Sequence, residues 1–174
     1  MLISVEKLRL YIDTELSDSV LEGKLRGLEL MIRAYTHNNF QVRSIRSICS
    51  TDGNTITGLH KFIKEGDTIE VSDSFFNDGV YTVQSVSDGV GTVASSIYPE
   101  LFLKITKVVY PEDVVLGAVD LLKWDLNNRD KVGVSSETIS RHSVTYFNMD
   151  GNNSSMGFPS ALLGFLEPYR KARF

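Results

Sequence analysis

The residues that could do chemistry are few. Three histidines, His37, His60 and His142, and one cysteine, Cys49, are scattered along 174 residues. No two histidines share the spacing by which one helix face presents a metal pair, and no second cysteine supports them or allows a disulfide within the chain. The densest polar run is "SETISRHSVTYF", Ser136 to Phe147, where Glu137, His142 and Ser143 supply the residue types of a nucleophilic triad. A hydrolase of that kind needs its serine beside its histidine. Extended chain sends adjacent side chains to opposite faces, so Ser143 and His142 cannot meet within one strand. No Gly-x-Ser-x-Gly elbow is present either. The oxygen-rich stretches "TDGNTITG" and "DGNN" lack the spacing and closing Glu of a calcium loop. "SDGVGTV" lacks the Lys-Ser/Thr of a phosphate-binding loop. The expectation is therefore no catalytic residue, no metal and no cofactor.

Read as one strand, the same run points Ile139, Arg141, Ser143, Thr145 and Phe147 one way and Ser140, His142, Val144 and Tyr146 the other. Both faces mix polar and apolar groups. Such a strand is expected to be completed by a partner, which makes Ile139, Arg141, His142, Val144 and Tyr146 candidate interface residues.

The elements around it fall into three zones. Ser4 suits the cap of a short helix carrying Val5, Leu8 and Ile12. Ser17 or Asp18 opens a longer one whose stripe is Leu21, Leu25, Leu28, Ile32 and Tyr35, ending near His37, Asn38 and Asn39. Gly23 and Gly27 interrupt that helix at about 1 kcal/mol each relative to Ala. Four residues apart, they form one small ridge that suits the close approach of another helix. From about Ser44 to Val108, strand-like runs alternate with Asp-Gly and Glu-Gly turns, as expected of a small antiparallel β-barrel or sandwich. Cys49 is expected to be a buried apolar residue there. Helix returns at Pro111 with the stripe Val114, Val115, Ala118, Leu121, Leu122 and Leu126. Pro159 suits the start of a last short helix carrying Leu162, Phe165 and Leu166, broken by Pro168. The expected fold class is α+β: a small all-α domain, residues 1–43 and 109–174, interrupted by a small antiparallel β-barrel or sandwich insertion, residues 44–108.

Composition is that of a packed domain, 42% hydrophobic and 23% charged, with a net charge of −4. Residues 44–108 hold five Lys/Arg and eight Asp/Glu, so the acidity concentrates in the β zone. This balance opposes tight binding of duplex DNA. No signal peptide and no apolar run of about 20 residues is visible, so a soluble protein made in a reducing cytoplasm is expected. "PYRKARF" sets the aromatic Tyr169 and Phe174 beside the cations Arg170, Lys171 and Arg173. Aromatic and Arg side chains anchor protein interfaces, and this segment is expected to reach a neighbour.

Four segments in order, "VEKLRLYID", "LRGLELMIRAYTHNNF", "ETISRHSVTYF" and "FPSALLGFLEPYRKARF", resemble the head–tail connector (adaptor) proteins of long-tailed phages infecting Gram-positive bacteria, and of prophages. The resemblance covers about 1–43 and 109–174. It implies a compact helical domain and a role without catalysis. Copies form a ring, typically of twelve, beneath the portal protein, extend the channel through which genomic DNA passes without sequence-specific binding, and offer a surface to the stopper (head-closure) or tail-completion protein. It further implies that Tyr169, Arg170, Lys171, Arg173 and Phe174 contact the portal. Ile139 to Tyr146 would then be a β segment at a subunit boundary, and the protein would reside in the virion after synthesis in the bacterial cytoplasm, with no membrane partner. Two other classes stand beside this one. A small nucleic-acid-binding module using the β zone would need a basic face with exposed aromatics. A hydrolase would need Ser143 or His142.

Overall fold

The computed structural model describes residues 1–131, 136–139, 142–145 and 153–172; residues 131, 136–139 and 142–145 are described by their backbone. The chain divides into two compact units, Asn39–Tyr110 with Met1, and Leu2–Asn38 with Pro111–Phe174.

The first unit is a closed antiparallel barrel. Its strands are β1 (Gln41–Asp52), β2 (Thr55–Thr57), β3 (Thr68–Ser72), β4 (Gly79–Ser87), β5 (Val90–Val93) and β6 (Glu100–Val108), in the spatial order β1-β2-β5-β4-β3-β6. Its hairpins follow from turn chemistry. Ser87 pairs with Val90, so Asp88 and Gly89 alone connect β4 to β5, with φ of 49° and 76°. Positive φ at both central residues twists the turn with the strands it joins. Alternation then sends Ile69 and Val71 of β3, Val83 of β4, and Leu103 and Ile105 of β6 into one interior with Ile56, Ile63 and Cys49. Closure leaves no edge strand for another chain to extend.

In the second unit α1 (Val5–Leu8) is a single turn capped by Ser4, whose Oγ accepts from the Lys7 amide at 3.3 Å. α2 (Asp18–Thr36) buries Leu21, Leu25, Leu28 and Ile32, and ends at His37 with a left-handed φ of 48°. α3 (Glu112–Asn128) buries Val114, Ala118, Val119, Leu121 and Leu122. After it come β7 (Ser136–Ile139) paired with β8 (His142–Thr145), β9 (Ser154–Ser155) paired with β10 (Phe158–Pro159), and a 3-10 helix over Ser160–Tyr169 packed on α2 and α3.

A small all-α domain with a β insertion is therefore not the fold. The six-stranded closed barrel is the largest regular assembly in the chain, and the remaining unit carries two β-hairpins of its own. Its last helix is 3-10 rather than α. Leu163 and Leu166 are its buried residues, three apart as 3.0 residues per turn requires. The expected short helix after Pro159 is present with Leu166 buried, Leu163 rather than Leu162 is its other buried residue, and Pro168 lies within it rather than breaking it. The polar run from Ser136 is likewise not one strand. It folds back on itself, with Ile139 opposite His142 and Glu137 opposite Val144.

Candidate interaction surface

The barrel displays a cluster of large apolar side chains that its interior cannot take. Phe75 and Phe76 stand on the β3–β4 loop, Tyr98 on the β5–β6 loop, and Leu101 and Phe102 on β6; all five are between 64% and 89% exposed. The two β6 residues leave together because of a bulge. Cys49 pairs with Leu103 and Thr51 with Glu100, so Ser50 alone faces both Leu101 and Phe102. An extra residue of this kind re-aims side chains that would otherwise alternate. The Phe76 and Tyr98 rings lie 5.5 Å apart, and Phe75 and Phe76 6.5 Å.

A buried polar network holds this cluster in place. Asn77 is only 2% exposed. Its Nδ2 donates to Glu100 Oε1 at 2.7 Å and to the Tyr98 carbonyl at 2.9 Å, while its Oδ1 accepts from the Tyr98 amide at 2.8 Å. The Glu100 carboxylate also accepts from the amides of Phe75 (3.0 Å) and Phe76 (3.2 Å). Tyr81 Oη donates to the Asn77 carbonyl at 2.9 Å. Its hydroxyl is pushed above its ordinary range by burial first and by the Asp78 charge second. Asp78 accepts from the Ser74 amide and hydroxyl, which hold its carboxyl below the usual range. One amide and one carboxylate thus fix the backbone of both exposed phenylalanines.

Around the rings the charge is negative. Asp73, Asp78 and Glu100 face one ammonium, Lys104, which pairs with Asp73 at 2.6 Å. The exposed aromatics that a nucleic-acid reader requires are present, but the basic face is not.

The helical unit offers a second apolar face. Val20, Gly23, Gly27, Leu30 and Ala34 are exposed and repeat on the side of α2 away from its buried stripe. A Cβ added at Gly23 or Gly27 meets no atom of the described residues within 4 Å, so none of them occupies the ridge. Beside it runs a groove of about 320 Å³ lined by Gly27, Leu28, Met31, Leu122, Met156 and Phe158, with Lys24 and Asp125 at its polar end. Arg129 braces two of the lining residues, Phe158 and Asp125. Its guanidinium lies 4.9 Å over the Phe158 ring and 5.4 Å over Trp124, and donates to the Gly157 carbonyl at 2.8 Å. Asp125 accepts from Lys24 at 2.7 Å and Arg129 at 2.6 Å. Burial alone would raise the Asp125 pKa; the two cations outweigh it and hold the carboxyl below its ordinary range.

The other residues singled out in the sequence are placed as follows. Tyr169 Oη donates to both Asp113 carboxylate oxygens at 2.8 Å, a bond that raises its pKa. Arg170 pairs with Glu167 at 3.2 Å and lies 5.2 Å over the Tyr35 ring, and Tyr35 Oη donates to Glu167 at 2.9 Å. These bonds from Tyr35 and Arg170 hold the Glu167 carboxyl low. The Lys171 amide donates to the Thr36 carbonyl at 2.8 Å, and its side chain is exposed. Tyr169 and Arg170 are thus engaged within their own unit. Arg173, Phe174, Arg141 and Tyr146 lie outside the described residues, and Ile139, His142 and Val144 are described as backbone of the β7–β8 hairpin. His60 accepts the Phe62 amide at Nδ1, 3.3 Å away, within a turn. Cys49 is buried, and burial pushes its thiol up.

Among the described residues, no three His, Cys, Asp or Glu side chains stand together to hold a metal, and no helix is long and apolar enough to cross a membrane. The aromatic cluster was missed in the sequence, although "DSFFND" carried a signal: two adjacent phenylalanines within a run of turn residues. No protein-family model matches the chain, and no curated protein matches it.

Proposed function

We propose that this chain is a structural assembly protein, a connector of the tailed-phage head–tail junction. It forms a ring with copies of itself, docks beneath the portal protein, extends the DNA channel and supports the stopper or tail-completion protein. The observation that carries the assembly reading is the rigid aromatic patch. Hydrogen bonds to Asn77 and Glu100 hold the backbone of Phe75, Phe76 and Tyr98, and a bulge turns Leu101 and Phe102 outward. Five large apolar side chains thus stand in water, which is costly unless something covers them. The four ordered segments that resemble connector proteins supply the setting. An acidic barrel suits a channel through which DNA slides without sticking. Because Tyr169 and Arg170 are engaged with Asp113, Glu167 and Tyr35, the portal contact falls to Lys171, Arg173 and Phe174.

Light scattering of the purified protein, alone and mixed with portal rings from the same genome, tests this reading. A complex near twelve copies per portal, lost when Lys171 and Arg173 are both changed to Ser, is expected. A folded protein that fails to associate at micromolar concentrations would sink the portal-docking role. The exposed rings also favour a second reading, stacking on single-stranded nucleic acid. Binding of an oligonucleotide at low salt separates the two. The carboxylates around the rings predict none.

A further inference from the structure

We propose that the barrel patch Phe75–Phe76–Tyr98–Leu101–Phe102 of one copy docks into the α2 groove at Gly27 of a second copy, giving a head-to-tail contact. This rests on the reading that the chain assembles with itself, and it names the two faces that meet.

Size is the first argument. At about 200 Å² a ring, the four exposed aromatics offer roughly 600 Å² of apolar surface. A standard interface buries about 800 Å² per partner. The patch is thus most of one side of a stable contact.

Charge is the second. Two patches meeting face to face would set Asp73 and Asp78 against the same carboxylates, so a self-complementary dimer through this surface is disfavoured. The α2 face is net positive: Lys24 and Arg129 share the single carboxylate Asp125 at the end of the groove, and Arg26, beside the Gly23–Gly27 ridge, is exposed and makes no ion pair among the described residues.

Shape is the third. Interface anchors are aromatic side chains seated in apolar pockets. The groove has about 320 Å³ of room, and two of its walls are the thioethers of Met31 and Met156, which adapt to the group they meet. The absent side chains of Gly23 and Gly27 let a ring approach the α2 backbone. The closed barrel has no free edge to add a strand, so its recognition must run through side chains. Two different faces meeting head to tail generate a ring or an open chain.

Two variants test the pairing. Phe76→Ser with Phe102→Ser removes the patch, and Gly27→Gln with Leu30→Arg blocks the groove face. All four positions are exposed, so circular dichroism should report unchanged folding. Sedimentation velocity at rising concentration, with and without portal rings, reads the mass. Wild type is expected to grow beyond a dimer. Each variant alone should associate at least about thirtyfold more weakly. An equimolar mixture should stop at a 1:1 dimer, since only one intact face of each kind remains. Wild-type assembly undiminished in either variant, or a mixture that stays monomeric while wild type assembles, overturns the pairing and leaves the assembly reading standing. Wild type that stays monomeric even on portal rings overturns both.

Discussion

Replacing Gly23 and Gly27 together by Ala separates the stability of the free chain from its capacity to assemble. Both residues lie inside α2, where Gly costs about 1 kcal/mol relative to Ala through lost backbone entropy. That gain survives only where the new methyl has room, and no atom of the described residues lies within 4 Å of a Cβ at either position. Neither added methyl meets another group of the described residues, so their effects should nearly add, to roughly 1.5–2 kcal/mol. For a chain of this length 1 kcal/mol corresponds to about 2–4 °C. The double variant should therefore melt about 3–8 °C higher by circular dichroism at 222 nm. In light scattering it should assemble at least about tenfold more weakly, because the methyls fill the ridge where a second copy would lie. A lower melting temperature would refute the claim that the ridge is open. A higher one with assembly unchanged would refute the claim that the ridge is a contact face.

The opposite outcome is expected at Gly91 of β5, where a Cβ would meet Leu59 Cδ1 at 2.6 Å and the Ser85 carbonyl oxygen at 2.8 Å. Gly91→Ala should lower the urea midpoint by the equivalent of about 1–3 kcal/mol. The Asp125 carboxyl titrates below its ordinary range when folded. Its contribution is therefore fully present above the unfolded pKa and is lost as pH falls through the folded one. Wild-type stability should drop over that acidic window, while Asp125→Asn should show a flatter profile and start about 1–3 kcal/mol lower at neutral pH. Cys49 should resist thiol reagents until urea unfolds the barrel; labelling at the rate of an exposed thiol would show that the 49 side chain is not in the core. Asn77→Ala should cost about 1–3 kcal/mol by stranding the Tyr98 amide and Glu100, and should weaken self-association as strongly as removing Phe76.

The legible parts of this fold were those set by short-range chemistry. "SDGV" specified its hairpin because Asp-Gly accepts positive φ at both positions, and the stripe Leu21, Leu25, Leu28, Ile32 specified α2 because apolar period and helix period agree. Closure of six strands into a barrel depends on pairing β1 with β6 across the whole unit, which no local window contains. The pitch of the last helix was not legible because Leu162, Leu163, Phe165 and Leu166 satisfy a 3.0 and a 3.6 period equally well over two turns. The β7–β8 pairing went unseen for a related reason: the run from Ser136 to Thr145 carries none of the Gly, Asn or Asp that mark a hairpin in sequence. The candidate site was half legible. Gly23 and Gly27 were visible as a break in helix propensity. The aromatic patch was not, because Leu101 and Phe102 read as strand core until the bulge opposite Ser50 turned both outward.

That bulge and the Asn77 network argue together for selection on the outer surface. A barrel needs neither to close: Val71, Val83, Leu103 and Ile105 already fill the interior. Burying the Asn77 side chain works against stability unless its hydrogen bonds, including the one to the half-buried Glu100, are made. Here the bonds are spent on the amides of Phe75, Phe76 and Tyr98, the residues whose side chains stand in water. Replacing those rings by Ser would leave the network intact and make the isolated chain more soluble. Retaining them has a physical reason only if a partner removes them from water. Since the closed barrel has no edge to extend, that partner must meet the rings themselves, and the groove beside Gly27, lined by Leu28, Met31, Leu122 and Phe158, is the face proposed to receive them.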